Sequence, residues 1–317
     1  MRHVPIKSNE QMLPITEKDI SKQIGRSIKS PIRISNLNNL GIDQSAFLKK
    51  FTPLFEELAW DEYDPRRLRV EFLKKIFPKQ KETIHQHFKA YYTGQKKWSI
   101  FKKWTNQLSP AQLNKLKDIQ PWRRRSVAKF HIQQTKQGFS LQRIPVPQFA
   151  QAVDDADFRS WPRIFQEAPP AHVENSLFHQ FLLQIFRQAQ SVEPVIEKAH
   201  ITAHFMSVKA TSDTPGDNSP EGAHEDGAAY IVSALVINRF NVSGGETQIL
   251  EKRRGGKKEI ILRRILQPGE FAFQADTGEE KVFGNDLWHH VTPFHKTDKK
   301  KGDGWRDIIG LDLVIKM

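Results

Sequence analysis

The chain contains no cysteine. That absence excludes disulfide scaffolds, thiolate zinc sites, iron–sulfur clusters and cysteine nucleophiles. Long apolar runs are missing too. The longest, Ala228 to Ile237 with one Ser, falls well short of the ~20 residues that a bilayer-spanning helix needs. The opening MRHVPIKSNEQMLPITEKDI lacks the apolar core of a secretory signal. The expectation is a soluble, cytoplasmic protein with no membrane partner.

What is present is ordinary globular composition: 317 residues, 38% hydrophobic and 27% charged, with material for a sizeable core. The net charge is +13, with 12 His uncounted. A basic surplus of this size invites nucleic acid. Its distribution argues otherwise. Residues 1–150 hold 29 Lys+Arg against 12 Asp+Glu, whereas residues 151–317 hold 20 against 24.

Residues 1–45 are polar and without sustained periodicity, which reads as a poorly ordered or peripheral lead-in. From there, residues 46–317 read as one domain, with a helical front (46–198) and a β-rich core (199–317). Phe47, Phe51, Leu54, Phe55 and Leu58 recur at helical spacing. Pro65 opens a second helix carrying Leu68, Phe72 and Ile76, and Ser109-Pro110 caps a third. VAKFHIQQ and FSLQRIPV around Gly138 read as a hairpin, and Leu177, Phe181, Ile185 and Phe186 as another helix. Seven or eight short strands then follow from Ile201 to the end. Helices in front of many short strands indicate α+β with a sandwich or barrel.

The chemistry concentrates in the β-rich half. In PEGAHEDGAAYIV, His224 and Asp226 lie two apart, so a strand would place both on one face. His290 follows 66 residues later in NDLWHHVTPF. Two imidazoles and one carboxylate with open positions form the facial triad of non-haem Fe(II) oxygenases. His-x-Asp alone is a weak signal. Arg306, 16 residues after His290, opens the last strand and offers the planar fork of donors that suits a dicarboxylate co-substrate.

PEGAHEDG, NRFNVSGGETQIL, NDLWHHVTPF and GWRDIIGLDLVI together resemble the 2-oxoglutarate/Fe(II) dioxygenase family that contains bacterial L-isoleucine 4-hydroxylase. The order of the four segments is the family's: Gly-x-His-x-Asp-Gly, Arg-x-Asn-x-x-Gly-Gly, His-x-Val-Thr-Pro and Gly-x-Arg-Asp. The resemblance implies a double-stranded β-helix (a jelly roll, cupin-like) flanked by N-terminal helices. It implies His224, Asp226 and His290 on Fe(II), and Arg306 on the C5 carboxylate of 2-oxoglutarate. O2 is the oxidant, succinate and CO2 are released, and the implied substrate is a free, aliphatic L-amino acid hydroxylated at an unactivated C–H. The loop TSDTPGDNS at 211–219 is expected over this site.

Several residues have a plainer reading beside the functional one. His289 and His290 compete for the third ligand position, because neighbours on a strand face opposite sides. His290 is favoured here because it directly precedes Val-Thr-Pro. Thr247 faces either the pocket or a strand neighbour, while Asn241, Gly244 and Gly245 fit turn chemistry. His172-Val173-Glu174 repeats the His-x-acid spacing beside a helix start, where helix chemistry accounts for it. His204 reads as a buried, satisfied histidine or a substrate contact, and Arg163 as an ion pair or a partner for a substrate carboxylate. Trp98, Trp104 and Trp122 sit among basic residues, a pattern shared by nucleic-acid platforms and amphipathic helices. Two other functions stand against a small-molecule hydroxylase. One is the same chemistry on a protein or nucleic acid docked by the basic half, and the other is a non-catalytic jelly-roll binding module.

Overall fold

Period-two stretches become strands where both faces find cover, and this chain builds thirteen of them among the described residues. The structure is a computed structural model describing residues 12–146, 158–253, 255–276 and 287–315. The strands are β1 (Ile15–Thr16), β2 (Ile32–Asn36), β3 (Arg123–Thr135), β4 (Gly138–Ile144), β5 (Lys198–Ala210), β6 (Tyr230–Phe240) and β7 (Val242–Gly244). They continue as β8 (Thr247–Lys252), β9 (Lys258–Arg264), β10 (Glu270–Ala275), β11 (Leu287–Val291), β12 (Phe294–Lys296) and β13 (Gly304–Ile315).

Eight strands lie in one sheet, in the order β1-β2-β10-β6-β13-β5-β3-β4. Pairing is antiparallel from β1 through β5, and again between β3 and β4. Its centre, β13 between β6 and β5, is buried along almost its whole length, Arg306 and Asp307 included. A three-stranded sheet β11-β8-β9 and a pair β12-β7 form the remaining β structure. Two single bridges, His224 with His289 and Gly216 with Phe294, tie the β5–β6 connection to these smaller sheets.

The chain divides into two compact units. The larger comprises Met1–Leu58, Arg125–Val146 and Gln166–Met317, and it holds both β layers. Asp43 and Asn175 cap its helices Gln44–Phe51 and Ser176–Val192 by accepting from Ala46 and Phe178 backbone N–H groups. Phe47 and Phe51 on the first helix meet Phe181 and Phe178 on the second, which in turn contact Phe271 and Phe205 of the large sheet. Aromatic pairs in such geometry add ~0.5–1.5 kcal/mol each beyond area burial.

The smaller unit comprises Ala59–Arg124 and Pro147–Phe165. Phe88, Tyr92, Phe101, Trp104 and Trp161 are buried in its own core, and Arg123 joins Asp61 and Asp64 at 2.9 and 2.8 Å. Trp104 donates its indole N–H to Gln80 at 2.8 Å, and half-buried Trp98 packs on Tyr91 and Phe101. These two tryptophans serve packing, not an open stacking platform.

The expected lead-in is also structural. Residues 1–11 lie outside the described residues, but β2 pairs with both β1 and β10, with Ile32, Ile34, Leu37, Leu40 and Ile42 buried. The partner that makes IRISN a strand lies over 230 residues downstream, so local pattern could not reveal it.

Candidate metal centre and co-substrate site

His224, Asp226 and His289 bring one ligand atom each to within 4.8 Å of one another. His224 Nε2 lies 3.6 Å from Asp226 Oδ1, and His289 Nε2 lies 3.4 Å from Asp226 Oδ2. The two imidazole rings stand 4.3 Å apart between centroids. At His224, Nδ1 faces the Gly222 carbonyl at 2.9 Å, a contact that puts the proton on Nδ1 and leaves the Nε2 lone pair toward Asp226. Burial lowers the pKa of His289 to about 4, against the opposing pull of Asp226. It is therefore a neutral imidazole, the ligating form, throughout the neutral range.

The third member differs from the residue favoured on sequence. His290 lies on the opposite side of β11, half-buried, with Nδ1 3.3 Å from Gln248 Oε1. The pleat decides this. Leu287, His289 and Val291 form the buried face of β11, in register with Glu251, Ile249 and Thr247 of β8. The signal was present in LWHHV, where the aliphatic residues Leu287 and Val291 are in phase with position 289. The motif spacing His-x-Val-Thr-Pro likewise matches His289.

Asp226 sits on a turn organised by a carboxylate that sequence reasoning passed over. Asp276, 3% exposed, accepts from the backbone N–H groups of Asp226, Gly227 and Ala228 at 3.0, 2.7 and 3.1 Å. Gly227 takes φ +85° there, a left-handed conformation that glycine adopts without a Cβ clash. Fifty residues separate the two carboxylates, and a lone Asp at a strand end carries no sequence signature.

Arg306, on β13, is completely buried. Its Nη1 donates to Asn218 Oδ1 at 2.9 Å, while Nε and Nη2 have no hydrogen-bond partner. Burial, with neighbouring Arg239 adding to it, lowers its pKa to about 9, against the effect of Asp307. A buried guanidinium with two unused donors is suited to an anionic ligand, as a co-substrate carboxylate would supply. The residues present therefore fit both a metal ion and 2-oxoglutarate.

The other expected contacts divide. Thr247 is fully buried on the same face of the small sheets as His289, and its hydroxyl has no partner. His204 is held between Asp312 and Arg125 at 2.9 Å each, so its ring nitrogens are occupied. Arg163 belongs to the smaller unit, buried with its guanidinium 5.8 Å from the Phe165 ring centroid. His172 is buried against Phe205 with both ring nitrogens unpartnered and is no member of the metal-ligand group. Asn241 holds a turn, accepting from Thr297 and Asp298 and donating to the carbonyls of Asp298 and Gly302.

Residues 105–312 match the family model described as 2OG-Fe dioxygenase. The chain belongs to this family. Its members use Fe(II), 2-oxoglutarate and O2. Among curated proteins, the chain is 26% identical over 144 residues to a 3(1)-hydroxy-L-isoleucine 4-dioxygenase of Pantoea ananatis. That match covers 44% of this chain and 53% of the relative, so the chain spans about half the length of the curated protein it matches. Among solved structures, a BsmA homologue of Methylobium petroleophilum superposes over 95% of this chain and 87% of its own, at TM-score 0.55 and 17% identity. That likeness establishes a shared fold, the jelly roll of the dioxygenases. IDO from Bacillus thuringiensis covers 62% of this chain and 76% of its own, with TM-score 0.45 and 18% identity. Among the described residues, no helix is long and apolar enough to cross a membrane.

Proposed function

We propose that this dioxygenase hydroxylates an unactivated C–H of a free, aliphatic L-amino acid, with His224, Asp226 and His289 holding Fe(II). The observation that carries the reading is the convergence of these three side chains, in a chain that also buries Arg306 with donors unused. The amino-acid class rests on the likeness to the Pantoea 3(1)-hydroxy-L-isoleucine 4-dioxygenase. The helices Gln44–Phe51 and Ser176–Val192 are, in this reading, the flanking layer of the jelly roll.

When bound, iron and 2-oxoglutarate supply the oxidation, in which O2 is consumed, succinate and CO2 leave, and one oxygen atom enters the substrate C–H bond. The protein's own part is placement. Asp226 and the two imidazoles would hold the ion through one side-chain atom each. Gly222 and Asp276 fix the orientation of His224 and of the turn carrying Asp226. Arg306 holds the far carboxylate of the co-substrate, and Thr247 offers a buried hydroxyl to the bound molecules. No general base on the protein is required.

The test is succinate release by protein prepared anaerobically and supplied with Fe(II), 2-oxoglutarate and ascorbate, over a panel of free amino acids. Stimulation by one aliphatic amino acid is expected. Stimulation only by peptide or nucleic acid, with turnover falling steeply between low and physiological salt, would overturn the substrate class.

A further inference from the structure

Arg306 of β13 and Arg239 of β6 are direct cross-strand partners, so two guanidinium groups leave the large sheet side by side. Like charges in this relation are destabilising unless something of opposite charge joins them. Among the described residues, neither arginine has a carboxylate within ion-pair distance. Asp307, next in sequence to Arg306, is turned to Ser207 Oγ and Asn238 Nδ2, at 2.5 and 2.9 Å. The partners the two arginines do have are neutral: the Gly244 carbonyl for Arg239 Nη2, at 2.6 Å, and Asn218 Oδ1 for Arg306 Nη1.

The donors left over are the informative part. Arg306 Nε and Nη2, Arg239 Nη1 and Asn218 Nδ2 are all buried without an acceptor. Gly245 lies where the two side chains converge. A Cβ built on it would stand 3.4 Å from Arg239 Nη1 and 3.5 Å from Arg306 Cδ. A Cβ there would make only ordinary contacts, so it is the φ of +68° that calls for glycine beside the two guanidinia. Four donor atoms, two formal positive charges and a small residue beside them describe an anion cradle, not a packing accident.

We infer that Arg239 and Asn218 complete a shared site with Arg306, in which one carboxylate of the co-substrate bridges two guanidinia and a side-chain amide. This rests on the reading of Arg306 as the co-substrate anchor and extends it to two residues not otherwise assigned. Asn218 stands six residues before His224, so the bound carboxylate also secures the connection that delivers a metal ligand. The site discriminates against 2-oxo acids that lack the second carboxylate, because such a molecule would leave both cations buried and unpaired.

Calorimetric titration of Mn(II)-loaded protein compares 2-oxoglutarate with 2-oxopentanoate, which has the same carbon count and no distal carboxylate. Arg239→Met is expected to weaken 2-oxoglutarate binding by about tenfold or more, leaving 2-oxopentanoate unaffected, with Arg239→Lys intermediate. Asn218→Asp places a carboxylate among the guanidinia. It is expected to raise the melting temperature of the ligand-free protein and to weaken 2-oxoglutarate by a similar factor. Wild-type affinity for 2-oxoglutarate in Asn218→Asp and in either Arg239 variant, with binding lost in Arg306→Met, would overturn the shared site and keep the single-arginine anchor. Arg306→Met that weakens both 2-oxo acids equally, or neither, would remove the anchor itself. Should Arg239→Met fail to fold, Arg239→Lys and Asn218→Asp decide the question.

Discussion

His224 and His289 face each other across a two-residue β-bridge, each donating its backbone N–H to the other's carbonyl at 3.0 Å. The bridge is the last pairing on the edge of the small sheet, and it fixes both rings before any ion is considered. Because the contact runs through main chain, the spacing of the two imidazoles does not depend on their side-chain rotamers alone. Asp226 is then brought to the pair by a turn that Asp276 gathers from beneath. Two backbone devices, a bridge and a capped turn, thus assemble a group drawn from distant parts of the chain.

The neighbouring histidines should separate cleanly. His289→Ala is expected to abolish stoichiometric Fe(II) or Co(II) uptake, whereas His290→Ala, altering only the Gln248 side of β11, retains it. Metal content after anaerobic gel filtration distinguishes them. Equal loss in both variants would refute the assignment of β11's inner face to the metal.

Asp276→Ala removes the common acceptor of three backbone N–H groups without touching a ligand. Metal affinity should fall roughly 10- to 100-fold, the usual effect of losing a group that orients a ligand. Asp276→Asn keeps one acceptor oxygen and should fall less. Competition against a chelator of known affinity measures both.

His172 makes stability depend on pH. Burial holds its pKa below the usual histidine value of 6.5. The unfolded chain therefore binds a proton first as pH falls, and stability rises with pH through that window. The contribution is fully present above pH ~6.5 and is lost progressively below it. Urea denaturation of the wild type between pH 7.5 and 5 should show the decline, and His172→Phe should make it shallower, with buried His289 supplying the part that remains.

Gly216 packs closely against the Phe294 ring, and a Cβ at that position would lie 2.2 Å from the ring's Cζ. Phe294 is fully buried, so the ring has no free space to yield. Gly216→Ala should cost about 1–3 kcal/mol in thermal or chemical denaturation. Gly302→Ala, where a Cβ meets nothing within 4 Å, serves as the control and should stay within ~0.5 kcal/mol of wild type.

Much of the site was readable because its chemistry is local in sequence. His224 and Asp226 are two residues apart, and the structure does bring them together. Arg306 was singled out at the start of the last strand, and it is buried with donors to spare. Choosing between His289 and His290 failed because a motif's final residues were weighed over the strand's own alternation. Leu287 and Val291, flanking the pair, already indicated which imidazole points inward. Asp276 was beyond reach and Asn218 was visible only as part of the 211–219 loop, since neither belongs to a periodic pattern and each matters through a residue far along the chain.

The same division runs through the whole molecule. Composition and local order determined that there are no thiols to serve as ligands. They also set which residue types are available to a metal, and that strands follow helices in the second half. Pairing over long separations decided the rest: β2 enters the large sheet beside β10, two arginines stand abreast on β6 and β13, and His289 rather than His290 reaches Asp226. Side-chain identity is carried residue by residue, whereas the direction of a strand's face and the neighbour across it exist only once the sheet has formed.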